Sequence, residues 1–364
     1  MKNIILFGGA FDPIHSGHIN MAEKASKQLQ ADVFFIPARI SVWKKESAPI
    51  EDKIKMVELA INESELKSKF HISRYEADSK SDINYTINTV KYFKEQHPDS
   101  HLYLLIGTDQ VNSFHKWKKA EEIVSLCTVI YFERPDIELD NKNIEKFKMM
   151  KISGGTVLAS STDIRELKSL DAPDSVIEYI ISNNLYFINK IKSYMSESRF
   201  IHTLSVARLS YEIAKANRLN DAKKTIIAAL LHDIGKEMPM DKQISIMKKH
   251  YPEYLELHPV IYHQFISEYL AKKDFNISDP VILDAIKYHT TANKDMSEVA
   301  IIVHCADKIE PTRGFDSQVL INSLKSSLII GFKDVLRSNL EYYDRKGIDY
   351  RNKLQMACLE QYYK

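Results

Sequence analysis

The chain has 364 residues, 44% of them hydrophobic, and 50 Lys and Arg residues balance 49 Asp and Glu residues to a net charge of +1. At roughly 150 residues per domain, this length predicts two domains. The near-neutral balance gives no reason to expect a nucleic acid or an anionic membrane as partner. We expect a cytoplasmic protein, because no apolar run reaches membrane-span length, no charged leader opens the chain and the three widely spaced cysteines suit buried free thiols.

Short apolar runs alternate with amphipathic runs through the first half of the chain. Strands are predicted at residues 2–7, 32–37, 70–74, 102–106, 128–132 and 156–159. Helices are predicted between them at residues 19–29, 52–62, 85–95 and 121–126. This alternation predicts an α/β domain built on a parallel sheet with helices on both faces. Ligands of such sheets bind at the carboxyl ends of the strands.

The most specific sequence, GGAFDPIHSGH, lies on the turn between the first predicted strand and the first predicted helix. Gly8 and Gly9 let the backbone approach a ligand closely. The helix N-terminus that follows offers unpaired N–H groups and a positive dipole end to an anion. His15 and His18 are three residues apart and share one face if the helix begins here. The segment therefore predicts a polyphosphate site with two imidazoles on the phosphates.

This segment resembles the H-x-G-H signature of the nucleotidylyltransferase superfamily, and its full form resembles the nicotinate mononucleotide adenylyltransferases of NAD biosynthesis. The resemblance implies a Rossmann-like domain that transfers the adenylyl group of ATP to nicotinate mononucleotide, giving deamido-NAD and pyrophosphate, with Mg²⁺ on the ATP. It implies nucleotide-binding roles for Gly8, Gly9, Phe11 and Asp12. Because the mononucleotide phosphate is already a nucleophile, catalysis needs positioning and charge neutralisation, which we expect from His15, His18, Lys44 and Arg165, with His18 foremost.

Two further segments resemble the same family. Gly107 and Asp109 follow the strand predicted at 102–106, and the resemblance places Asp109 near the nucleotide and Trp117 against the pyridine ring. A helix N-cap and plain packing are the respective alternatives. The sequence from Ser160 to Arg165 resembles the family's I-S-S-T-x-I-R segment, and it implies phosphate contacts from Ser161, Thr162 and Arg165.

Two matches depart from the family pattern. Thr86 lies in a segment resembling S-Y-T-x-D-T, but Asn88 replaces the usual Asp and residues 78–82 replace an Arg-x-Gly lead-in. The family commonly has His before a Lys where this chain has Trp43-Lys44-Lys45, so Lys45 is an alternative to Lys44. The resemblance extends to residues 174–187 and covers about half of the chain.

The character of the sequence changes after residue 189. Strand-like runs nearly vanish, and helical periodicity dominates, as at residues 200–217 and 224–231. We therefore predict an α/β domain over residues 1–188 and an all-α domain over residues 189–364.

The second half carries histidines and aspartates in the order H…HD…D. His202, the pair His232-Asp233 and Asp307 resemble the signature of the HD superfamily of metal-dependent phosphohydrolases. His289 and His263 suit a second metal ion, with His258 as the alternative to His263. With its Tyr-His-Thr-Thr and Ala-Asp-Lys-Ile-Glu-Pro strings, this half resembles the bacterial symmetrical dinucleoside tetraphosphatases.

That resemblance implies two metal ions bridged by Asp233, iron or else manganese or another divalent ion, and hydrolysis of diadenosine tetraphosphate to two ADP. Lys236 is expected to neutralise phosphate charge, with Arg199 and Arg313 as weaker candidates that could equally form surface ion pairs. His250, His258 and His304 are interpreted as core or helix-cap residues.

Other functions remain open for each half at this point. The first domain could be another H-x-G-H transferase, of which phosphopantetheine adenylyltransferase is the nearest. The second could hydrolyse a nucleoside triphosphate, guanosine tetraphosphate or a cyclic dinucleotide, or it could be a nucleotide-sensing module. The sequence sets no oligomeric state.

Overall fold

The computed structural model describes residues 2–39, 47–79, 84–133, 137–154, 159–349 and 351–363. The chain divides into two compact units. The first comprises Met1–Arg165 and Asp171–Leu185, and the second comprises Glu166–Leu170 and Tyr186–Lys364. The domain boundary after residue 188 stays a prediction.

The first unit alternates strands with helices, and the predicted α/β class is confirmed. Its strands are β1 (Asn3–Gly9), β2 (Asp32–Pro37), β3 (Phe70–Ile72), β4 (His101–Gly107), β5 (Thr128–Phe132) and β6 (Met150–Lys151). Its helices are α1 (Ser16–Leu29), α2 (Ile50–Glu63), α3 (Thr86–Gln96), α4 (Thr108–Ser113), α5 (Ala120–Leu126), α6 (Asn141–Phe147), α7 (Ser161–Arg165) and α8 (Asp174–Ser182). Single 3-10 turns lie at Lys67–Lys69 and Phe114–Lys116.

The strands of the described residues form one parallel sheet in the order β3-β2-β1-β4-β5-β6. The chain moves outward from β1 to β3 on one side and then from β4 to β6 on the other, so the order reverses between β1 and β4. Ligands of open parallel sheets bind beyond the strand ends at such a point. The turn after β1 and the turn after β4 both open there.

The element boundaries differ from the predicted ones by a few residues. Helix α1 begins at Ser16 rather than at residue 19, because His15 has extended backbone angles and caps the helix. The last predicted strand, at 156–159, falls mostly on residues outside the described ranges, and the sixth strand is β6. Apolar side chains from β1, β4, β5 and α3, among them Leu6, Leu104, Val129 and Val90, form one core cluster of this sheet.

The second unit is helical, as predicted. Its helices are α9 (Phe187–Lys192), α10 (Glu197–Ala216), α11 (Ala222–Leu231), α12 (Met240–His250), α13 (Tyr262–Phe275), α14 (Pro280–Tyr288), α15 (Glu298–Ile309), α16 (Gln318–Ser326), α17 (Leu328–Lys346) and α18 (Lys353–Tyr362). Three 3-10 turns lie at Pro252–Tyr254, Pro259–Ile261 and Pro311–Arg313. Helix α11 is buried over most of its length and packs against α10, α14 and α15. Across the described ranges of both units, we find no helix with the length and apolar character needed to cross a membrane.

Candidate active sites of the two units

The two histidines of the first unit are fixed by reciprocal hydrogen bonds at the start of α1. The backbone N–H of His18 donates to Nδ1 of His15 over 3.3 Å, and the N–H of His15 donates to Nδ1 of His18 over 3.2 Å. These bonds form a capping box, so two amides left over at the helix N-terminus are satisfied by the two imidazoles. The rings stack with centroids 3.6 Å apart.

These bonds decide which nitrogen of each ring carries the proton. A neutral imidazole has one donor and one acceptor nitrogen. Because Nδ1 of both His15 and His18 accepts an amide hydrogen bond, the proton of each neutral ring lies on Nε2. Both rings therefore present an N–H donor, the group that a phosphate oxygen accepts from.

Phe11 and Gly9 shape the turn beneath His18. The Phe11 ring is buried and meets the His18 ring edge-on at 5.1 Å between centroids. A Cβ atom on Gly9 would lie 3.1 Å from the Phe11 ring, so this position favours glycine. At Gly8, by contrast, a Cβ atom would meet no described atom within 4 Å, and the backbone there is open to close approach.

Arg165 and Ser161 join the end of the first unit to the same turn. The Arg165 guanidinium donates to the carbonyl of Asp12 and, over 2.9 Å, to the hydroxyl of Thr162. The Ser161 hydroxyl donates to the carbonyl of Pro13 over 2.9 Å. The structure thus brings Ser161 and Arg165 of the predicted Ser160–Arg165 segment against the turn that carries the histidines.

The other predicted residues of this unit lie at helix starts, after the 3-10 turn Phe114–Lys116 or outside the described ranges. Asp109 is exposed in the first turn of α4, and a Cβ atom on Gly107 would lie 2.9 Å from its carboxylate. Trp117 is half-buried, and its ring packs on the Phe114 ring with centroids 5.0 Å apart. Part of its surface therefore has a packing role. Thr86 opens α3. Lys44 and its alternative Lys45 lie outside the described residues.

In the second unit, hydrogen bonds from Nδ1 orient four imidazole rings. Nδ1 of His232 lies 2.6 Å from the carbonyl oxygen of Ala229, and Nδ1 of His289 lies 2.7 Å from that of Ile286. His263 makes the same contact with the Val260 carbonyl at 2.9 Å, and His202 makes it with a carboxylate oxygen of Glu310 at 2.9 Å. Since each Nδ1 donates to an oxygen, each neutral ring carries its lone pair on Nε2.

Those Nε2 atoms converge on Asp233. Two groups of potential metal ligands share this residue: His202, His232 and Asp233 in one, and Asp233, His263 and His289 in the other. Asp233 Oδ2 lies 3.6 Å from His232 Nε2, while Oδ1 lies 3.4 Å from His263 Nε2 and 3.5 Å from His289 Nε2. Asp307 Oδ1 adds a second carboxylate, 3.2 Å from His202 Nε2 and 3.7 Å from His232 Nε2.

The chemistry of this donor set fits metal ions. Nε2 of His202, Nε2 of His232 and Oδ1 of Asp233 are buried and have no hydrogen-bond partner among the described residues. Buried polar atoms normally have partners, so unpartnered acceptors converging on a common point suit a cation. Imidazole and carboxylate donors are typical ligands of Fe, Mn and Zn. The alternative histidine, His258, instead accepts from the Val260 amide and caps the 3-10 turn Pro259–Ile261.

A cavity of about 240 Å³ opens on these carboxylates. Four of its lining residues carry cationic side chains: Arg199, Lys236, Lys308 and Arg313. Arg199 donates to Asp233 Oδ2 over 2.8 Å, and Arg313 donates to Asp307 Oδ1 over 2.6 Å. Both arginines, proposed from sequence either as phosphate ligands or as surface ion pairs, therefore pair with buried carboxylates inside the cavity.

In the comparisons with known proteins, each of the two candidate sites falls within a different family model. Residues 6–167 match the family model described as cytidylyltransferase-like, and residues 199–312 match the HD domain. A protein of Mycoplasma genitalium described as a probable nicotinate-nucleotide adenylyltransferase/Ap4A hydrolase is 33% identical over 344 residues, which cover 90% of this chain and 95% of the relative. The chain belongs to the nicotinate-nucleotide adenylyltransferase/Ap4A hydrolase family.

Another relative in the family, from Mycoplasma pneumoniae, is 29% identical and covers 92% of this chain and 98% of its own length. Among solved structures, the Plasmodium falciparum nicotinic acid mononucleotide adenylyltransferase complexed with NaAD aligns with 52% of this chain and 99% of its own, at 26% identity and a TM-score of 0.46. A Clostridium acetobutylicum protein described as a predicted HD superfamily hydrolase involved in NAD metabolism aligns with 46% of this chain and 93% of its own, at 28% identity and a TM-score of 0.42.

Burial and charge act against each other at the HD carboxylates of this family member. Burial alone would raise the pKa of Asp233, but the surrounding imidazoles of His232, His289 and His263 hold it well below its usual range. At Asp307, burial likewise acts to raise the pKa, but Lys308 and His202 hold it well below its usual range. Burial lowers the pKa of His263 well below its usual value despite Asp233 nearby. These directions favour ionised carboxylates and a neutral His263, the forms in which such residues bind metal, whereas Asp233 and Asp307 raise the pKa of His232 despite its burial.

Three residues beside this site had no functional role in the sequence-based prediction. Glu310, only 1% exposed, orients His202; Thr290 lines the cavity and contacts two ligand imidazoles; His304 donates from Nδ1 to the carbonyl of His289 over 2.8 Å. A signal for Glu310 was available, because it lies three residues after Asp307 at the end of α15 and so shares its face.

Proposed function

We propose that the chain is a bifunctional enzyme of nucleotide metabolism. The first unit transfers the adenylyl group of ATP to nicotinate mononucleotide and releases deamido-NAD and pyrophosphate. The second unit hydrolyses diadenosine tetraphosphate symmetrically to two ADP. The observation that supports both activities is the pair of sites just described, one offering imidazole donors at a helix N-terminus and the other offering imidazole acceptors around shared carboxylates.

In the first unit, the Nε2–H groups of His15 and His18 donate hydrogen bonds to the phosphates of ATP, and the guanidinium of Arg165 supplies positive charge. Lys44 is proposed as a further cation. The residues proposed to bind the two nucleotides are Gly8, Gly9, Phe11, Asp12, Thr86, Gly107, Asp109, Trp117, Ser161 and Thr162. Mg²⁺ bound with ATP supplies additional charge neutralisation on the triphosphate. The phosphate of nicotinate mononucleotide is the nucleophile, so no residue acts as a general base.

In the second unit, six residues are proposed to hold two metal ions: His202, His232, Asp233, His263, His289 and Asp307. Iron is the proposed metal, with manganese as the alternative for this nitrogen and oxygen donor set. Two ions at this place would lower the pKa of a water molecule that attacks the bridging phosphates. Lys236, Arg199 and Arg313 face the cavity and stabilise the negative charge of the polyphosphate.

The buried, unpaired thiols of Cys127, Cys305 and Cys358 support a reducing compartment, the cytoplasm.

Chromatographic analysis of the products of the purified chain tests both halves. With diadenosine tetraphosphate and Fe²⁺ or Mn²⁺, we expect ADP as the sole product. ATP plus AMP would contradict symmetrical cleavage, and no turnover by the metal-loaded chain would contradict the hydrolase assignment. With ATP, Mg²⁺ and nicotinate mononucleotide, we expect deamido-NAD and pyrophosphate, and nicotinamide mononucleotide in a parallel reaction tests the preference for the acid.

A further inference from the structure

The two groups of metal ligands in the second unit differ in what already occupies their imidazole nitrogens. In the group of His202 and His232, both Nε2 atoms are buried without a hydrogen-bond partner among the described residues. In the group of His263 and His289, both Nε2 atoms accept hydrogen bonds from neighbouring side chains. The ligand sets are similar, but only one of them is open at its nitrogen atoms.

Thr290 is the residue that contacts both imidazoles of the second group. Its Oγ1 lies 3.0 Å from His263 Nε2 and 2.9 Å from His289 Nε2. Those two nitrogen atoms are 3.2 Å apart. These two nitrogen atoms would hold the second ion, and each would have to offer it a lone pair. The Thr290 hydroxyl is within hydrogen-bond distance of both atoms and can donate its single proton to either one, so it competes with the ion for one lone pair at a time.

Lys236 adds a second donor to this group. Its Nζ atom donates to His263 Nε2 over 3.1 Å. Cationic side chains also contact the first group, where Arg199 donates to Asp233 and Arg313 to Asp307. These contacts differ in consequence, because a carboxylate has about four lone-pair positions and accepts a metal ion beside an arginine, whereas an imidazole nitrogen has a single lone pair.

We infer that the two metal positions load in sequence and with unequal affinity: the ion held by His202 and His232 binds first, and the ion held by His263 and His289 binds more weakly because it must displace the Thr290 hydroxyl. This inference rests on the proposed two-metal hydrolase. It makes Thr290 a residue that sets the occupancy of the second position without serving as one of the six ligands.

Equilibrium dialysis of the metal-free full chain against Mn²⁺, with elemental analysis of bound ions, tests the inference. Two successive binding constants are expected, and both bound ions should be absent from Asp233→Ala. Electron paramagnetic resonance provides a second readout, since the first equivalent should give the spectrum of an isolated Mn²⁺ and the second a spin-coupled pair.

Thr290→Val removes the hydroxyl and keeps the shape of the side chain, while Thr290→Ser keeps the hydroxyl and is the matched control. We expect Thr290→Val to tighten the second ion roughly 2- to 10-fold, the effect of one competing hydrogen bond, and to leave the first unchanged. Thr290→Ser should behave like the unmodified chain.

Three results would overturn the inference. Equal intrinsic affinities at the two positions of the unmodified chain would do so even if Thr290→Val does not fold. Weaker second-ion binding by Thr290→Val would make the hydroxyl a supporting group rather than a competitor. Saturation at a single ion per chain would overturn the two-metal proposal as well, which separates the failure of the function from the failure of this inference.

Discussion

Both units place histidines around a site proposed to handle phosphates, and they hold those rings by opposite hydrogen bonds. In the first unit, Nδ1 of His15 and His18 accepts from backbone amides. In the second, Nδ1 of His232 and His289 donates to backbone carbonyls. Nε2 is therefore a donor in one unit and an acceptor in the other. The same side chain suits a phosphate oxygen in the first case and a metal ion in the second.

The position of each ring along its helix explains this difference. His15 and His18 lie at the start of α1, where backbone N–H groups lack partners within the helix. His232 and His289 lie at the ends of α11 and α14, where carbonyl groups lack them. For these four histidines, the protonated nitrogen follows from the helix end; His263, in the first turn of α13, instead donates to the Val260 carbonyl in the preceding 3-10 turn.

The largest predicted effects come from removing one member of each site. Asp233→Ala should reduce tetraphosphate hydrolysis to background, because both groups of metal ligands share this carboxylate. His18→Ala should reduce adenylyl transfer by about 10²- to 10³-fold, the usual cost of losing one donor to transition-state charge. Each activity is measured in both variants, with bound metal determined alongside.

Each variant is the control for the other. Asp233→Ala should keep normal adenylyl transfer, and His18→Ala should keep normal hydrolysis and metal content. Loss of both activities from either change would contradict two independent sites.

Glutamine substitutions test the opposite protonation directly. Gln at position 18 can accept from the His15 amide, as Gln does in a capping box, and still offers an outward N–H. We expect His18→Gln to retain more adenylyl transfer than His18→Ala. Gln at position 232 offers no comparable nitrogen lone pair, so His232→Gln should lose metal as completely as His232→Ala. If Gln preserved function equally at both positions, or at neither, the result would contradict the opposite protonation of His18 and His232.

Glu310→Gln should produce an intermediate effect. Loss of the carboxylate behind His202 weakens the basicity and orientation of that ligand, and changes of this kind typically cost about 10- to 100-fold in metal affinity. Dialysis against Mn²⁺ measures the change. Glu298→Gln, at an exposed position of the same helix, should leave the affinity unaltered.

Two glycines extend the comparison to smaller effects. A Cβ atom on Gly235 would lie 2.9 Å from Ile266 and from the Ser267 backbone, so Gly235→Ala should lower the unfolding free energy of the second unit by about 1–3 kcal/mol. Gly8→Ala meets no described atom within 4 Å, so it should leave stability unchanged and raise the KM for ATP.

Separate signals can follow the two units in that experiment. Both tryptophans of the chain, at positions 43 and 117, fall within the sequence range of the first unit, so tryptophan fluorescence carries no signal from the second unit, whereas circular dichroism reports both. A shift of the tryptophan transition by Gly235→Ala would contradict a local effect.

Sequence patterns predicted the fold class well but did not predict the residues that orient the metal ligands of the HD site. Alternating runs gave the parallel sheet, and fixed spacing gave His232-Asp233 because those residues are neighbours in the chain. Glu310 contacts His202 across 108 positions; its spacing from Asp307 indicates a shared helix face but does not indicate that His202 is its partner. The opposition of the two histidine sets was also unforeseen, although the helix ends that explain it were approximately predicted at residues 19 and 231.

The reciprocal bonds between His15 and His18 have a consequence for how the first site can change over time. The same two contacts begin the helix and aim the reactive rings, so a substitution there is judged at once by folding and by chemistry. Loss of a helix cap costs about 1 kcal/mol of stability in addition to any loss of rate. A lineage that gave up the reaction would therefore still have a reason to keep hydrogen-bonding side chains at these positions, and Ser in their place would record a vanished activity on an intact helix.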